Sequence, residues 1–238
     1  MFDLIAPPHN GHGLTMTHIP FDIVGFDLDG TLIDSSADLA AGVNHALASI
    51  GLPAHSVEEV KGFVGKGVVV MLERALRASG DYSDARLAAL RPVFADYYTA
   101  HLTDYSRPYP GAVAALEAIQ ASGTRVALCT NKSEQFTLPL LRQLDLTDHF
   151  SAIICGDTLG QGILKPDPAP LRAMVEHAGG GRAVFIGDTS HDIEAARAAG
   201  LACIAVSFGF VDATDQLSAD AILDGYPNLL SLLENWPS

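Results

Sequence analysis

Asp22-Ile23-Val24-Gly25-Phe26-Asp27-Leu28-Asp29-Gly30-Thr31-Leu32 begins as a short apolar run and ends in two carboxylates one residue apart. The run reads as a buried strand over 22–28, too short and too rich in β-branched residues for a helix. In an open parallel sheet, ligands sit beyond the carboxyl ends of the strands. Two carboxylates at such an end repel each other unless a cation or a shared proton relieves them. Gly30 lets the chain turn sharply away. Taken alone, the tetrad also fits a solvated acidic turn, because Asp and Gly are common turn formers.

Four similar runs follow, over 125–130, 151–155, 183–187 and 201–206. Helical patterns lie between them. Val113, Leu116 and Ile119 share a face of a segment that stops at Gly123, a good C-terminal residue. Segments 136–146, 170–177 and 193–199 read likewise. Strands spaced by single helices imply βαβ units and a parallel sheet. Between the first strand and the 111–122 helix the rhythm is helical only. Leu39, Val43, Leu47 and Ile50 form one stripe, with Asp34, Ser35 or Ser36 as candidate N-caps. Val69, Leu72 and Leu76 form a second stripe. Leu87, Leu90, Val93 and Phe94 form a third, with Pro92 expected as a kink or boundary. The expected fold is therefore α/β, a Rossmann-like parallel sheet core with an inserted α-helical cap. The core is expected over 18–35 and 108–238 and the cap over 36–107. Residues 1–17, rich in Pro, Gly and His, are expected to form a disordered leader, and Met16 is a candidate alternative start.

The chain has 238 residues, 48 % of them apolar, and a formal net charge of −14. An acidic surface repels nucleic acid and anionic membranes, which argues against both as partners. Binding an anionic phosphate then requires a site whose local field is inverted by a cation and fixed basic groups. Cys129, Cys155 and Cys203 are widely spaced and each lies in an apolar run, as expected for buried thiols in a reducing cytoplasm. The uncharged apolar stretch Ala198 to Val211 is shorter than the roughly 20 residues that a bilayer span needs.

The remaining strand ends carry more chemistry. Thr130 and Asn131 close the 125–130 run, offering a hydroxyl, an amide and backbone N–H groups. Lys165 stands in Leu164-Lys165-Pro166-Asp167-Pro168, and Gly187-Asp188-Thr189-Ser190-His191-Asp192 closes the 183–187 run. Each fragment alone admits an ordinary reading as a turn, a loop lysine or a first-turn helix charge. Together they place a nucleophile, a second carboxylate, an oxyanion binder, a cation and a metal ligand at adjacent strand ends.

This ordered set resembles the four motifs of the haloacid dehalogenase superfamily, and the helical insertion resembles its C1-type cap. The resemblance spans nearly the whole chain after Pro20. Ser106-Arg107-Pro108-Tyr109-Pro110-Gly111, Thr130-Asn131-Lys132 and Phe63-Val64-Gly65-Lys66-Gly67 are most similar to the phosphoglycolate phosphatase branch. Lys66 departs from the small polar residue common there, which bears on substrate identity rather than on the chemistry.

The resemblance implies a Mg²⁺-dependent phosphatase acting on a small phosphorylated metabolite, with 2-phosphoglycolate first among substrates. A sugar-phosphate phosphatase or a phosphomutase is the alternative within the family, and a non-catalytic phosphate-binding protein the alternative outside it. Asp27 would attack phosphorus and Asp29 would carry the proton. Mg²⁺ would be held by a side-chain oxygen of Asp27, the backbone carbonyl of Asp29 and a side-chain oxygen of Asp188. Thr130, Asn131 and Lys165 would bind the phosphoryl oxygens. Asp192 would hold Lys165 or a metal-bound water. In the cap, Lys66 is the candidate for the substrate's other end, against an ordinary solvated lysine. Arg74 and Arg107 are weaker candidates, and His191 needs no role.

Overall fold

The computed structural model describes residues 18–210 and 218–237, so the expected leader lies outside the described residues. Strand β1 (Ile23–Phe26) is buried at every position and occupies the middle of the sheet. It pairs in parallel with β4 (Arg125–Cys129) on one side and β6 (Ala183–Gly187) on the other. β5 (Ala152–Ile154) extends the sheet beyond β4, and β7 (Ala202–Val206) and β8 (Ala221–Leu223) extend it beyond β6. All five pairings are parallel, which explains why the strands read as continuous apolar runs rather than alternating ones.

One face of the sheet, with Val24, Phe26, Val126 and Ile186, packs under α5 (Ala112–Ala121), α6 (Glu134–Gln143) and α9 (Leu229–Glu234). The other, with Ile23, Ala127 and Phe185, packs under α7 (Ala169–His177) and α8 (Ser190–Ala199). Gly25 leaves room on this second face for Met174, whose methyl carbon would lie 2.5 Å from a Cβ there and would have to shift.

The insertion consists of α1 (Ser36–Ala48), α2 (Val57–Lys61), α3 (Gly67–Ala78) and α4 (Asp84–Ala100), referred to below as the cap. Its two crossings pair with each other as the antiparallel ribbon β2 (Ile33–Asp34) and β3 (Arg107–Pro108), which periodicity could not reveal in two-residue strands. Helix α4 continues through Pro92, so no boundary forms there. Leu90, Phe94 and Tyr98 around the proline are fully buried and hold the helix in place. Of the three candidate caps for α1, Asp34 does the capping: its Oδ1 accepts from the Ser36 N–H and hydroxyl. The Ser35 hydroxyl is used elsewhere, as shown below.

Asp38, on the first turn of α1, fastens the return crossing. Its carboxylate is 1 % exposed and accepts from Tyr105 N–H, Ser106 N–H (2.7 Å) and the Ser106 hydroxyl (2.6 Å). Removing it strands three donors, two of them fully buried. Asp38→Ala should lower the unfolding free energy by about 2–4 kcal/mol in urea titrations. A loss under about 0.5 kcal/mol would show that water replaces the carboxylate at no cost.

Candidate active site

The register of the central strands fixes the site. Phe26 lies beside Leu128 and Ile186, so the next residues, Asp27, Cys129–Thr130 and Gly187–Asp188, emerge together at one sheet edge. The Asp27 N–H still donates to Ile186 O at 2.9 Å, holding its side chain at the strand end. Gly30, at φ +84°, turns the chain away immediately. A Cβ there would stand 2.2 Å from Asp188 Oδ2.

Lys165 is 2 % exposed and its ammonium donates to Asp27 Oδ1 (2.7 Å), Asp192 Oδ1 (2.6 Å) and the Cys129 carbonyl (2.8 Å). Burial works against that charge, but Asp192 and Asp27 outweigh it and hold the amine's pKa above its usual value. Asp192 also closes a capping box at the start of α8, accepting from Thr189 N–H and hydroxyl. Asp188 accepts from Phe210 N–H at 2.8 Å and from the Thr31 hydroxyl at 3.4 Å.

One ammonium does not neutralise three carboxylates. Burial, followed by repulsion from Asp192, pushes Asp27 up to about 7 despite Lys165. Burial and repulsion from Asp192 and Asp27 raise Asp188 well above the ordinary carboxylate range. Ligand oxygens of Asp27, Asp188 and Asp192 lie within 4.8 Å of one another. Both Asp192 oxygens are taken by Lys165 and Thr189, so Asp27 and Asp188 are the pair that can best hold a metal ion. An all-oxygen, excess-negative set of this kind fits a hard divalent cation.

The second carboxylate, Asp29, is turned toward a different cation. Lys132, 6 % exposed, donates to Asp29 Oδ1 (2.9 Å) and Oδ2 (3.1 Å), and the Ser35 hydroxyl also donates to Oδ1. The same ammonium donates to the Tyr98 hydroxyl of α4 at 2.7 Å. Sequence reasoning quoted Lys132 only as part of a motif and gave it no place in the site. Its position one residue past Asn131 on a strand end was the available signal.

These groups share a cleft between core and cap. Asp27, Asp29, Thr130, Lys132, Lys165 and Asp188 line the core side, while Leu39, Val64, Val68 and Met71 make the cap side apolar. Two of the expected substrate-binding residues have surroundings that the sequence does not show. The Asn131 amide is committed to backbone: Nδ2 donates to Gly65 O of the cap (2.8 Å) and Lys165 O (3.0 Å), and Oδ1 accepts from Lys165 N–H (2.9 Å). It clamps the site rather than offering its side chain to a phosphoryl group. Lys66 is exposed and lines an adjoining cleft instead, because the positive φ angles of Gly65 (118°) and Gly67 (78°) reverse the chain on either side of it. Arg74 caps the carbonyls of Phe63 and Val64, and Arg107 those of Thr103 and Ser106, so neither enters the cleft. His191 is half-buried beneath Gly65.

The sequence model for haloacid dehalogenase-like hydrolases matches residues 24–206. A protein named phosphoglycolate phosphatase from Agrobacterium fabrum (strain C58) is 39 % identical over 213 residues, covering 87 % of this chain and 90 % of that protein. One of the same name from Mesorhizobium japonicum is 43 % identical over 193 residues, covering 80 % and 84 %. The crystal structure of a predicted phosphoglycolate phosphatase from Haemophilus somnus 129PT superposes with a TM-score of 0.84 at 31 % identity, covering 92 % of this chain and 99 % of that one.

The raised Asp188 pKa has a measurable consequence. Such a group penalises the fold fully above its folded pKa and not at all below its unfolded pKa, near 3.8. In the presence of a chelator at pH 7, Asp188→Asn should therefore stabilise the protein by about 1 kcal/mol or more. The gain should shrink as pH falls toward 4, as read from thermal unfolding. A destabilised variant at pH 7 would contradict the charge balance described here.

Proposed function

The chain belongs to the haloacid dehalogenase-like hydrolases and is a phosphoric monoester hydrolase, and we propose that its substrate is 2-phosphoglycolate and its metal Mg²⁺. The observation that carries the reading is the Asp27 carboxylate, held by a buried ammonium at the strand end and opening on a cleft with a second, separately anchored carboxylate. The names of the relatives supply the substrate. The site supports a short one, because an apolar roof of Val64, Val68 and Met71 offers no partners for the hydroxyls of a sugar. The first turn of α3 also lines the cleft at Gly67 and Val68, and a helix N-terminus favours an anionic end group.

Asp27 Oδ forms a bond to phosphorus as the bond to the leaving oxygen breaks, and a proton on Asp29 passes to that oxygen. Water then attacks the aspartyl phosphate, the Asp27–phosphorus bond breaks, and Asp29 takes the water's proton back. Lys165, the Thr130 hydroxyl and the Asn131 backbone N–H bind phosphoryl oxygens, whose charge is greatest in flight. Asp27, Asp188 and the Asp29 carbonyl would hold Mg²⁺, which would supply positive charge to keep Asp27 ionised beside an anionic substrate. The cap over 36–107 closes to exclude water and opens to release product. Among the described residues no helix is long and apolar enough to cross a membrane, and all three cysteines are buried and free, which suits a reducing cytoplasm.

Asp27→Asn should lower kcat more than about 10³-fold on any phosphoester, and a chelator should have the same effect reversibly. An active Asp27→Asn enzyme would refute the mechanism. On a panel with glucose 6-phosphate and AMP, kcat/KM should favour 2-phosphoglycolate by about tenfold or more. Preference for the sugar phosphate would leave the chemistry standing and reject the substrate.

A further inference from the structure

Two buried ammonium groups serve this cleft, and they are wired differently. Lys165 touches only core groups. Lys132 joins the Asp29 carboxylate, which it meets through both oxygens, to Tyr98, a residue of cap helix α4. Tyr98 is fully buried: its ring stacks on Phe94 (5.2 Å between centroids) and meets Phe136 edge-on (5.2 Å). Burial, opposed by Lys132, pushes its pKa up to about 12, so the hydroxyl is neutral and accepts from the lysine.

A purely structural purpose explains this pair poorly. A buried ion pair is often no more stabilising than an apolar replacement, since desolvation cancels much of its attraction. Here it sits inside the cleft, its proton donors already used on Asp29 and Tyr98, and its carboxylate is the group that must hand a proton to the leaving oxygen. General acid–base catalysis depends on hydrogen-bond reach to the reacting atom, so an Asp29 free to rotate would lose much of its effect.

We propose that Lys132 is a positioning residue that fixes the Asp29 carboxylate and, through the Tyr98 hydroxyl, ties its aim to the seating of cap helix α4. Proton delivery and cap closure are then one event: with α4 lifted, Lys132 loses its cap partner and Asp29 its fixed anchor. The proposal rests on the reading of Asp29 as proton carrier given above.

The test uses the full-length enzyme with two substrates of nearly equal size, phenyl phosphate and p-nitrophenyl phosphate. Phenolate is the more basic leaving group and needs the proton; p-nitrophenolate scarcely does. Because kcat/KM reports steps up to formation of the aspartyl phosphate, the ratio of kcat/KM for the nitrophenyl over the phenyl ester isolates proton delivery. Lys132→Met should raise that ratio about tenfold or more over wild type. Tyr98→Phe, which keeps the ring and deletes only the oxygen, should raise it roughly threefold and serves should the lysine variant fail to fold. A general loss of binding or of fold would lower both esters equally and leave the ratio unchanged. An unchanged ratio in Lys132→Met overturns the positioning role, and one in Tyr98→Phe overturns the tie to the cap. Asp29→Asn must raise the ratio at least as far as Lys132→Met. If it does not, the reading of Asp29 itself has failed, and the proposal falls with it.

Discussion

Lys165 stands at the bottom of the cleft with almost no solvent, donating to two carboxylates and a backbone carbonyl. Without it, Asp27, Asp188 and Asp192 would put three like charges within a few ångströms of one another in a buried space. Their cost in a low-dielectric interior would exceed what neighbouring hydrogen bonds return. The lysine removes part of that cost, and a divalent cation can remove the rest. The surrounding details follow from this arrangement. Asp192 doubles as a helix cap, Asn131 fixes the Lys165 backbone by both its N–H and its carbonyl, and Gly30 and Gly209 leave room for Asp188. At Gly209 a Cβ would come within 2.2 Å of the Asp188 Cβ.

The neighbouring residues Asn131 and Lys132 carry the communication between the two parts of the chain. Asn131 reaches Gly65 in the turn before α3, and Lys132 reaches Tyr98 in α4. Each also holds a group of the reaction, the Lys165 backbone in one case and the Asp29 carboxylate in the other. The cap therefore touches the chemistry through polar contacts of the core's own strand end, while its own contribution to the cleft is mainly apolar. The cleft shares the chain's acidic balance, with Asp27, Asp29, Asp188 and Asp192 against Lys132 and Lys165, so binding an anion there calls for a cation as well as the two ammonium groups.

The sheet was legible because its strands are buried on both faces and announce themselves as apolar runs. Three of the core motifs were legible because each ends such a run, and Lys165, in the loop between β5 and α7, was legible only in company with them. What escaped the sequence has physical reasons. β2 and β3 are two residues long and carry no period. Pro92 looked like a break, yet α4 runs through it because tertiary packing of Leu90, Phe94 and Tyr98 outweighs one lost donor. Lys66 looked like a ligand for its isolation between glycines, but those same glycines turn it outward. Lys132 stood in the sequence only as the end of the Thr130-Asn131-Lys132 motif, and the three-dimensional approach of α4 and the Asp29 loop shows why it is buried. Roles that depend on what crosses from the cap cannot be read from local spacing.

The central place of β1 bears on how the chain is made. Ile23 pairs with Arg125 and with Ala183, so the earliest described strand to be synthesised waits for both of its neighbours until the whole helical insertion has been translated. The helices of the insertion, α1 packing on α4 among them, are all synthesised before β4 and can pack while that wait lasts. During it, Ile23-Val24-Gly25-Phe26 is an unpaired apolar strand with both edges open, a state prone to intermolecular association. The placement that gives Asp27 its position in the finished sheet thus makes the nascent chain most vulnerable at that same segment.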